Sequence, residues 1–231
     1  MIDWHSHILP NMDDGSRDAA ESQMLLQMLS KQNVDTVVAT PHFFASRESV
    51  RTFLQRREQS YEALIKNASS VSRMPDILLG AEVKYYPGIS AMEDLCSLCI
   101  EGTRLLLLEM PHSEWSEYTI KELEALAYAK GLTVVLAHIE RYFSHKKEVL
   151  WSRLRDSGIL MQVNASYFAD FGTKRKALRL LENGMVHMIG SDCHNMTSRP
   201  PLITRAYDVI RKKFGDEWID QMCVYGRSLL V

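Results

Sequence analysis

The sequence contains few cysteines, no long hydrophobic run and almost no net charge, and each of these absences excludes a class of protein. Four cysteines in 231 residues are too few for a scaffold held together by disulfides. No apolar run approaches the roughly 20 residues of a membrane-spanning helix, so direct membrane insertion is not expected. A formal net charge of −2 favours neither nucleic acid nor a membrane surface as the main partner.

The beginning of the chain leaves no room for an export signal. It reads Met-Ile-Asp-Trp-His, without the cationic segment and apolar core of a signal peptide, so the cytoplasm is the expected location. Hydrophobic residues make up 46% of the sequence and charged residues 24%, which at this length allows a large core. No repeat and no convincing linker divides the sequence. We therefore predict a single domain spanning residues 1–231.

Seven short apolar runs are separated, for the most part, by segments of helical character. The runs are Ile2 to Trp4, Val34 to Thr40, Ile77 to Leu79, Leu105 to Leu108, Thr133 to Ala137, Ile159 to Val163 and Met185 to Gly190. The predicted helices include one that begins near Ser16 or Asp18, one from about Glu48 to Asn67, and one from about Ser116 to Lys130 that Gly131 caps. This alternation predicts a parallel α/β fold, in which ligands gather at the carboxyl ends of the strands.

Metal-capable side chains stand at or just past the ends of six of these runs. They are His5, His42, Glu82, Glu109, His138 and Asp192. Histidine, aspartate and glutamate together fill only about one position in six of the sequence, so the recurrence indicates a shared site.

Two pairs at opposite ends of the chain, His5 with His7 and Asp192 with His194, strengthen this interpretation. Residues two apart on an extended strand project to the same side, so each pair can present two ligands to one region. A surface pair is the simpler interpretation of either one alone, but their presence at both ends favours a common site. The three remaining histidines lack a partner at ligand spacing and are interpreted as ordinary core or surface residues: His112, His145 and His187.

The residue types indicate the kind of metal. Imidazole and carboxylate without thiolate suit Mn²⁺, Fe or Zn²⁺ better than a cysteine-rich structural zinc site does. The acidic pair Asp13-Asp14 enlarges a set that is already too large for one ion. Two or three ions bridged by a carboxylate would use these ligands, and neighbouring metals are typical of hydrolysis at phosphorus.

The ordered motifs resemble those of a known superfamily. They are His5-Ser6-His7, Asp13-Asp14-Gly15, Pro41-His42, Gly80-Ala81-Glu82, Ala137-His138-Ile139-Glu140-Arg141-Tyr142, and Ser191-Asp192-Cys193-His194-Asn195 followed by Arg199-Pro200-Pro201. From residue 2 to about 225, the chain resembles the PHP (polymerase and histidinol phosphatase) superfamily. Within it, the chain is similar to the bacterial manganese-dependent tyrosine-protein phosphatases of capsule and exopolysaccharide clusters.

The resemblance implies a distorted seven-stranded (β/α) TIM-like barrel, the PHP fold, with three divalent ions. Mn²⁺ is the expected metal, and Fe and Zn²⁺ are alternatives. The implied ligands are His5, His7, Glu82 and Asp192 for one ion, Glu82, Glu109 and His138 for a second, and Asp14, His42 and His194 for a third. Arg141 and Arg199 match the arginines that this branch places beside the substrate phosphate, where a guanidinium can bind in bidentate fashion.

The resemblance also implies a reaction and a partner. The reaction would be hydrolysis of phosphotyrosine by attack of a metal-bridged hydroxide. The substrate would be the tyrosine-rich tail of a tyrosine kinase that regulates polysaccharide synthesis, with no role for nucleic acid. Two alternatives stay open: a phosphatase of small phosphomonoesters such as histidinol phosphate, and a non-catalytic scaffold that binds phosphotyrosine.

A competing mechanism is visible in the last motif. Cys193 and Arg199 have the Cys-x5-Arg spacing of phosphatases that use a thiolate nucleophile and cradle phosphate with loop amides. The intervening residues include no glycine, and two prolines follow the arginine. We therefore interpret this match as a coincidence.

Several other features receive simpler interpretations. Cys96-x-x-Cys99 lies in a segment predicted to be helical, and a buried thiol is expected there. Met24 and Met28 are expected in the core. Two groups of basic residues could dock an acidic partner but are more simply solvated helix faces: Arg47, Arg51, Arg56 and Arg57, and Lys174, Arg175, Lys176 and Arg179.

Overall fold

A computed structural model describes residues 1–68, 71–143 and 148–231, so the interpretation of His145 lies outside the described residues. Within these ranges the chain forms nine strands: β1 (Ile2–Ser6), β2 (Thr36–Ala39), β3 (His42–Phe43), β4 (Asp76–Leu79), β5 (Glu82–Lys84), β6 (Leu105–Glu109), β7 (Thr133–Leu136), β8 (Leu160–Asn164) and β9 (Met188–Gly190). The helices are α1 (Ala19–Lys31), α2 (Val50–Asn67), α3 (Glu117–Tyr128), α4 (Glu148–Asp156), α5 (Ala165–Ala169), α6 (Lys174–Glu182), α7 (Ile203–Phe214) and α8 (Asp216–Ser228). Among the residues described, no helix is both long and apolar enough to cross a bilayer.

The strands are parallel and form two sheets, ordered β1-β2-β4 and β3-β5-β6-β7-β8-β9. The first and last strands meet, because the amide of Asp192 donates to the carbonyl of His5 at 2.7 Å and that of His7 donates to Cys193 at 3.0 Å. The parallel α/β prediction is therefore confirmed, and the sheet curls so that both ends of the chain contribute to one edge.

The predicted count of seven strands is not what the described residues contain. All seven apolar runs include a strand, but β3 and β5 are additional. Thr40 and Pro41 separate β3 from β2, and Gly80 and Ala81 separate β5 from β4. Proline has no amide hydrogen to donate to a strand ladder, and glycine weakens a strand interior. The short strands β3 and β5 that follow these breaks begin with His42 and Glu82, so the sequence shows no apolar run there.

The two faces of the sheet pack into different clusters. On β6, Leu106 and Leu108 belong to the large core between sheet and helices, whereas Leu105 and Leu107 belong to a smaller cluster on the opposite face, with Trp4 of β1. Burial on both faces explains why this strand is continuously hydrophobic rather than alternating.

Helix α1 confirms one expectation and corrects another. Asp18 is its N-cap, since its side chain accepts a hydrogen bond from the amide of Glu21 at 2.8 Å. The predicted core position of Met24 is wrong, because this side chain is 40% exposed. The buried stripe follows Leu25, Leu26 and Leu29, which leaves Met24 on the outer side of the helix.

The segment around Cys96 and Cys99, predicted to be helical, forms a 3-10 helix at Glu93–Leu98, which follows another at Ile89–Ala91. Both cysteines are free; Cys99 is buried, as predicted, but Cys96 is exposed.

Candidate metal centre

One cluster of side chains forms where the carboxyl ends of the parallel strands meet. Strands β1, β6, β7 and β9 lead into it, β3 and β5 begin in it with His42 and Glu82, and Asp14 reaches it from the loop after β1. The nine residues expected to bind metal all contribute to this cluster: His5, His7, Asp14, His42, Glu82, Glu109, His138, Asp192 and His194.

Glu82 lies at the centre of the cluster and is almost fully buried. Its Oε1 is 2.7 Å from Nε2 of His138, and its Oε2 is 2.9 Å from Nδ1 of His42. The Nε2 atoms of His5 and His7 lie 3.2 and 3.3 Å from the same Oε2. One carboxylate therefore contacts four imidazoles from three strands or strand ends, those of β1, β3 and β7.

Asp192 and Asp14 extend the cluster in two directions. Oδ1 of Asp192 lies 3.6 Å from His5 and 3.5 Å from His7. Oδ1 of Asp14 lies 3.3 Å from Nε2 of His194 and 3.5 Å from Nε2 of His42.

Glu109 lies at another edge of the cluster. Its Oε1 is 3.9 Å from His138, and its Oε2 pairs with Lys84 at 3.0 Å. This carboxylate therefore joins the imidazole cluster to a lysine at its margin.

The arrangement fits cations better than it fits a network of hydrogen bonds. Ligand atoms approach one another within 4.8 Å in three overlapping groups: His7, Asp14, His42 and His194; His5, His7 and Asp192; and His42, Glu82 and Glu109. The Nε2 atoms of His5 and His7 face each other at 3.1 Å. Oε2 of Glu82, Nδ1 of His42 and Nε2 of His194 are buried without a partner that has hydrogen-bond geometry. Buried polar atoms of this kind are costly unless a ligand satisfies them.

The electrostatics of the cluster point the same way. Burial disfavours the charged form of His5, but Glu82 and Asp192 outweigh it, so the pKa of His5 is raised. Burial also opposes ionisation of Glu82, yet the neighbouring His5 and His138 hold the pKa of Glu82 well below its usual value. Burial, His7 and Arg199 lower the pKa of His194 to about 4. The carboxylate of Glu82 is thus ionised and favours positive charge at the centre of the cluster.

Three polar residues outside the nine residues expected to bind metal hold the candidate ligands in place. Oδ2 of Asp13 lies 2.7 Å from Nδ1 of His7 and accepts from the amide of His42 at 2.8 Å. Oε1 of Gln162 lies 3.2 Å from Nδ1 of His5, and Asn164 donates to Oδ2 of Asp192 at 2.8 Å.

Such contacts fix the ring and carboxylate orientations of a metal site. Asp13 was visible as part of an acidic pair, and Asn164 ends the sixth apolar run. Gln162 gave no signal, because it lies inside an apolar strand.

Two candidate ligand positions have left-handed backbone conformations. His138 has φ +35° and Asp192 has φ +51°. Residues other than glycine rarely adopt these angles, and they concentrate at functional sites. The chain therefore accepts local strain where it turns ligands from β7 and β9 towards the cluster.

The two arginines expected to bind phosphate lie together at one side of the cluster. Nη2 of Arg141 is 2.8 Å from Oδ2 of Asp192, and Nη2 of Arg199 is 2.7 Å from the same oxygen. Their side chains are 33% and 38% exposed. They line a cavity of about 340 Å³ with Asn164 and Tyr167. Guanidinium groups thus meet solvent directly beside the candidate metal ligands.

The geometry excludes a thiolate mechanism at Cys193. The thiol is fully buried, and burial raises its pKa to about 12. The amides of Thr197, Ser198 and Arg199 donate to Oδ1 of Asn195, at 3.0, 2.8 and 3.2 Å. They are therefore not free to cradle a phosphate.

The remaining singled-out histidines and basic residues lie elsewhere. His112 is exposed, and Nδ1 of His187 accepts a hydrogen bond from the amide of Met161 at 3.1 Å. On α6, Arg175, Lys176 and Arg179 are exposed, as expected of a solvated helix face.

Comparisons with known proteins agree with this architecture. The profile of the family described as "Capsular polysaccharide synthesis, CpsB/CapC" matches residues 1–230. The chain is 32% identical to the tyrosine-protein phosphatase CpsB of Streptococcus pneumoniae, over 93% of this chain and 91% of that protein. It is 31% identical to the tyrosine-protein phosphatase YwqE of Bacillus subtilis, over 94% of this chain and 86% of that protein.

A solved structure from work on B. subtilis YwqE and S. pneumoniae CpsB, described as unique metal-dependent tyrosine phosphatases, superposes with a TM-score of 0.83. The sequences are 29% identical, and the match covers all of this chain and 94% of that one.

Proposed function

The chain belongs to the CpsB/CapC family of capsular polysaccharide synthesis, and on this basis we propose that it is a metal-dependent protein-tyrosine phosphatase. The observation that carries the proposal is the convergence of five imidazoles and four carboxylates at the strand ends, with two arginines beside them. This combination suits hydrolysis of a phosphate ester, which needs divalent cations and donors for phosphoryl oxygens.

We assign the candidate ligands to three divalent ions, with Mn²⁺ as the expected metal and Fe or Zn²⁺ as alternatives. His5, His7, Glu82 and Asp192 would hold the first, with Glu82 bridging to a second completed by Glu109 and His138. Asp14, His42 and His194 would hold the third. The short distances within each set and the unpartnered buried atoms of Glu82, His42 and His194 support this assignment. Ions held there would supply an activated water and neutralise phosphate charge.

The protein's own residues would bind and orient the substrate. Arg141 and Arg199 present charged donors at the mouth of the cluster, where they would bind the phosphoryl oxygens and stabilise the charge that develops on them. Asn164, which donates to Asp192, keeps that carboxylate oriented. The tyrosinate leaving group has a pKa of about 10, so departure needs no strong general acid.

The proposed physiological substrate is a phosphotyrosine-containing protein, specifically the tail of a tyrosine kinase that regulates capsule or exopolysaccharide synthesis. Membership of a capsular polysaccharide synthesis family supports the setting. A phosphatase of small phosphomonoesters is the second candidate, since nothing in the ligand set itself selects tyrosine.

Phosphate release from matched substrates tests the proposal. Metal-free protein is titrated with Mn²⁺, Fe²⁺ or Zn²⁺ and assayed on phosphotyrosyl peptides, phosphoseryl peptides and histidinol phosphate. We expect metal-dependent release that is fastest from phosphotyrosine. Faster turnover of histidinol phosphate would establish the second candidate, and phosphopeptide binding without release would establish a scaffold.

The variant Asp192→Asn tests the proposed metal site in the same assay. Asparagine tolerates the left-handed backbone at this position but lacks the charge, so the fold should persist while activity is lost. Asp220→Asn, at an exposed position on α8, is the matched control and should leave turnover unchanged.

A further inference from the structure

A second cavity, of about 600 Å³, adjoins the metal-ligand cluster on the side of Asp14 and His42. These two residues belong to both the cluster and the cavity. The other walls come from the loop before α1 and from the segment between β3 and α2, with Phe44 and Arg47 among the lining residues. This cavity therefore provides space beside a phosphate that is bound at the cluster.

The charges that line the cavity are paired, with one exception. Asp13 lies 2.7 Å from His7, and Glu48 pairs with Arg56 at 2.6 Å. Asp14 faces two imidazoles of the cluster. Within the described part of the chain, Arg47 is the charged lining residue without an ion-pair partner.

Arg47 is exposed, but its guanidinium packs against a neighbouring aromatic ring. Its Cζ lies 4.2 Å from the centre of the Phe44 ring, a cation–π contact. The backbone turns tightly here, because the amides of Arg47 and Glu48 both donate to the carbonyl of Phe44, at 2.9 and 3.3 Å. Stacking leaves the edge of a guanidinium available, so Arg47 can still bind a carboxylate in bidentate fashion.

The neighbouring arginines do not offer an available guanidinium to this cavity. Nη2 of Arg56 donates to the carbonyl of Met12 at 2.9 Å, and Nη1 of Arg57 donates to that of Gly80 at 2.7 Å. Arg51 is exposed on α2 and does not line the cavity. The structure thus separates Arg47 from the basic cluster in which the sequence placed it.

We propose that this cavity is a peptide subsite in which Arg47 binds the carboxylate of an aspartate or glutamate close to the phosphotyrosine. The rings of His42 and Phe44 are 5.4 Å apart, and Arg47 lies over Phe44. The Phe44 ring therefore lies between the guanidinium and His42, a candidate metal ligand. An extended peptide advances about 3.3 Å per residue, which brings acidic residues within about three positions of the phosphotyrosine into reach. The inference rests on the proposed function and names the sequence context that the same site would prefer.

Two phosphotyrosyl peptides that differ only in charge provide the test. One carries aspartate or glutamate at the three positions on each side of the phosphotyrosine, and the other carries asparagine or glutamine there. With metal-loaded wild-type protein we expect about a 3- to 5-fold higher kcat/KM for the acidic peptide, the size typical of one solvent-exposed ion pair. The difference should lie in KM and should shrink as salt is added.

Three variants make the assignment specific. Arg47→Gln keeps a polar side chain without charge and should abolish the preference, whereas Arg47→Glu should reverse it. Arg51→Gln removes a charge from the adjacent first turn of α2 and should retain the wild-type preference, which separates a local contact from a general electrostatic effect.

The outcomes distinguish this inference from the proposed function. Equal turnover of both peptides by the wild-type protein, or equal loss of preference in Arg47→Gln and Arg51→Gln, would overturn the subsite while leaving the phosphatase intact. Failure to release phosphate from either peptide would instead refute the phosphatase proposal itself.

Discussion

At the scale of single residues, Cys193 illustrates how burial decides between two chemistries that share one motif. The residue lies between two proposed metal ligands and six positions before Arg199, but its thiol is shielded from solvent and its pKa is raised to about 12. A nucleophilic cysteine requires a thiolate that substrate can reach. The local environment provides neither ionisation nor access.

We therefore expect Cys193→Ser to retain kcat/KM within about threefold of wild type, whereas a chelator abolishes phosphate release. A buried hydroxyl can cost about 1–3 kcal/mol of stability, so Cys193→Ala is made in parallel and both proteins are checked by thermal unfolding. Folded, metal-replete Cys193 variants without turnover would restore the thiolate mechanism.

At the scale of elements, the contact between β1 and β9 depends on a glycine. A Cβ atom at Gly190 would lie 2.4 Å from Cβ of His5 and 2.9 Å from its backbone nitrogen. Close approach of these strands is what brings the first and last ligand pairs together. The absence of a side chain at Gly190 is therefore part of how the cluster forms.

We expect Gly190→Ala to lower the free energy of unfolding by about 1–3 kcal/mol, as overpacking does, and to reduce metal content and turnover by moving His5. Gly226→Ala on α8 is the matched control, because its Cβ would meet Trp4 at an ordinary 3.4 Å and alanine favours a helix. Loss of stability in Gly226→Ala equal to that in Gly190→Ala would contradict this local explanation, as would a Gly190→Ala protein with unchanged metal content.

At the scale of the whole molecule, two kinds of sequence signal predicted the structure. Apolar runs predicted strands, and metal-capable residues at the ends of those runs predicted the site. The seven apolar runs and the convergence of His5, Glu82 and Asp192 were predictable for this reason. Strands β3 and β5 were not, because they are too short and polar to form a hydrophobic pattern. Gln162 was hidden for the opposite reason, since one polar residue inside an apolar strand has no spacing that marks it.

The arrangement of the proposed ligands across the sheet also predicts that metal binding stabilises the folded chain. The proposed ligands come from the first strand, the last strand and most of those between them, so bound ions would cross-link the curled sheet. Ions that bind only the folded chain stabilise it by about 2.7 kcal/mol at a concentration 100-fold above Kd. At about 2–4 °C per kcal/mol for a domain of this size, this corresponds to a rise in Tm of roughly 5–10 °C.

Thermal unfolding of metal-free protein with increasing Mn²⁺ measures this rise, with potassium chloride at equal ionic strength as the control for screening. His138→Ala should lose much of the increase, because it removes a proposed ligand that lies 2.7 Å from the central Glu82. His112→Ala removes an exposed imidazole outside the cluster and should retain the increase. A Tm that is insensitive to Mn²⁺, or one that rises equally in both variants, would mean that the ions do not bind where the strand ends converge.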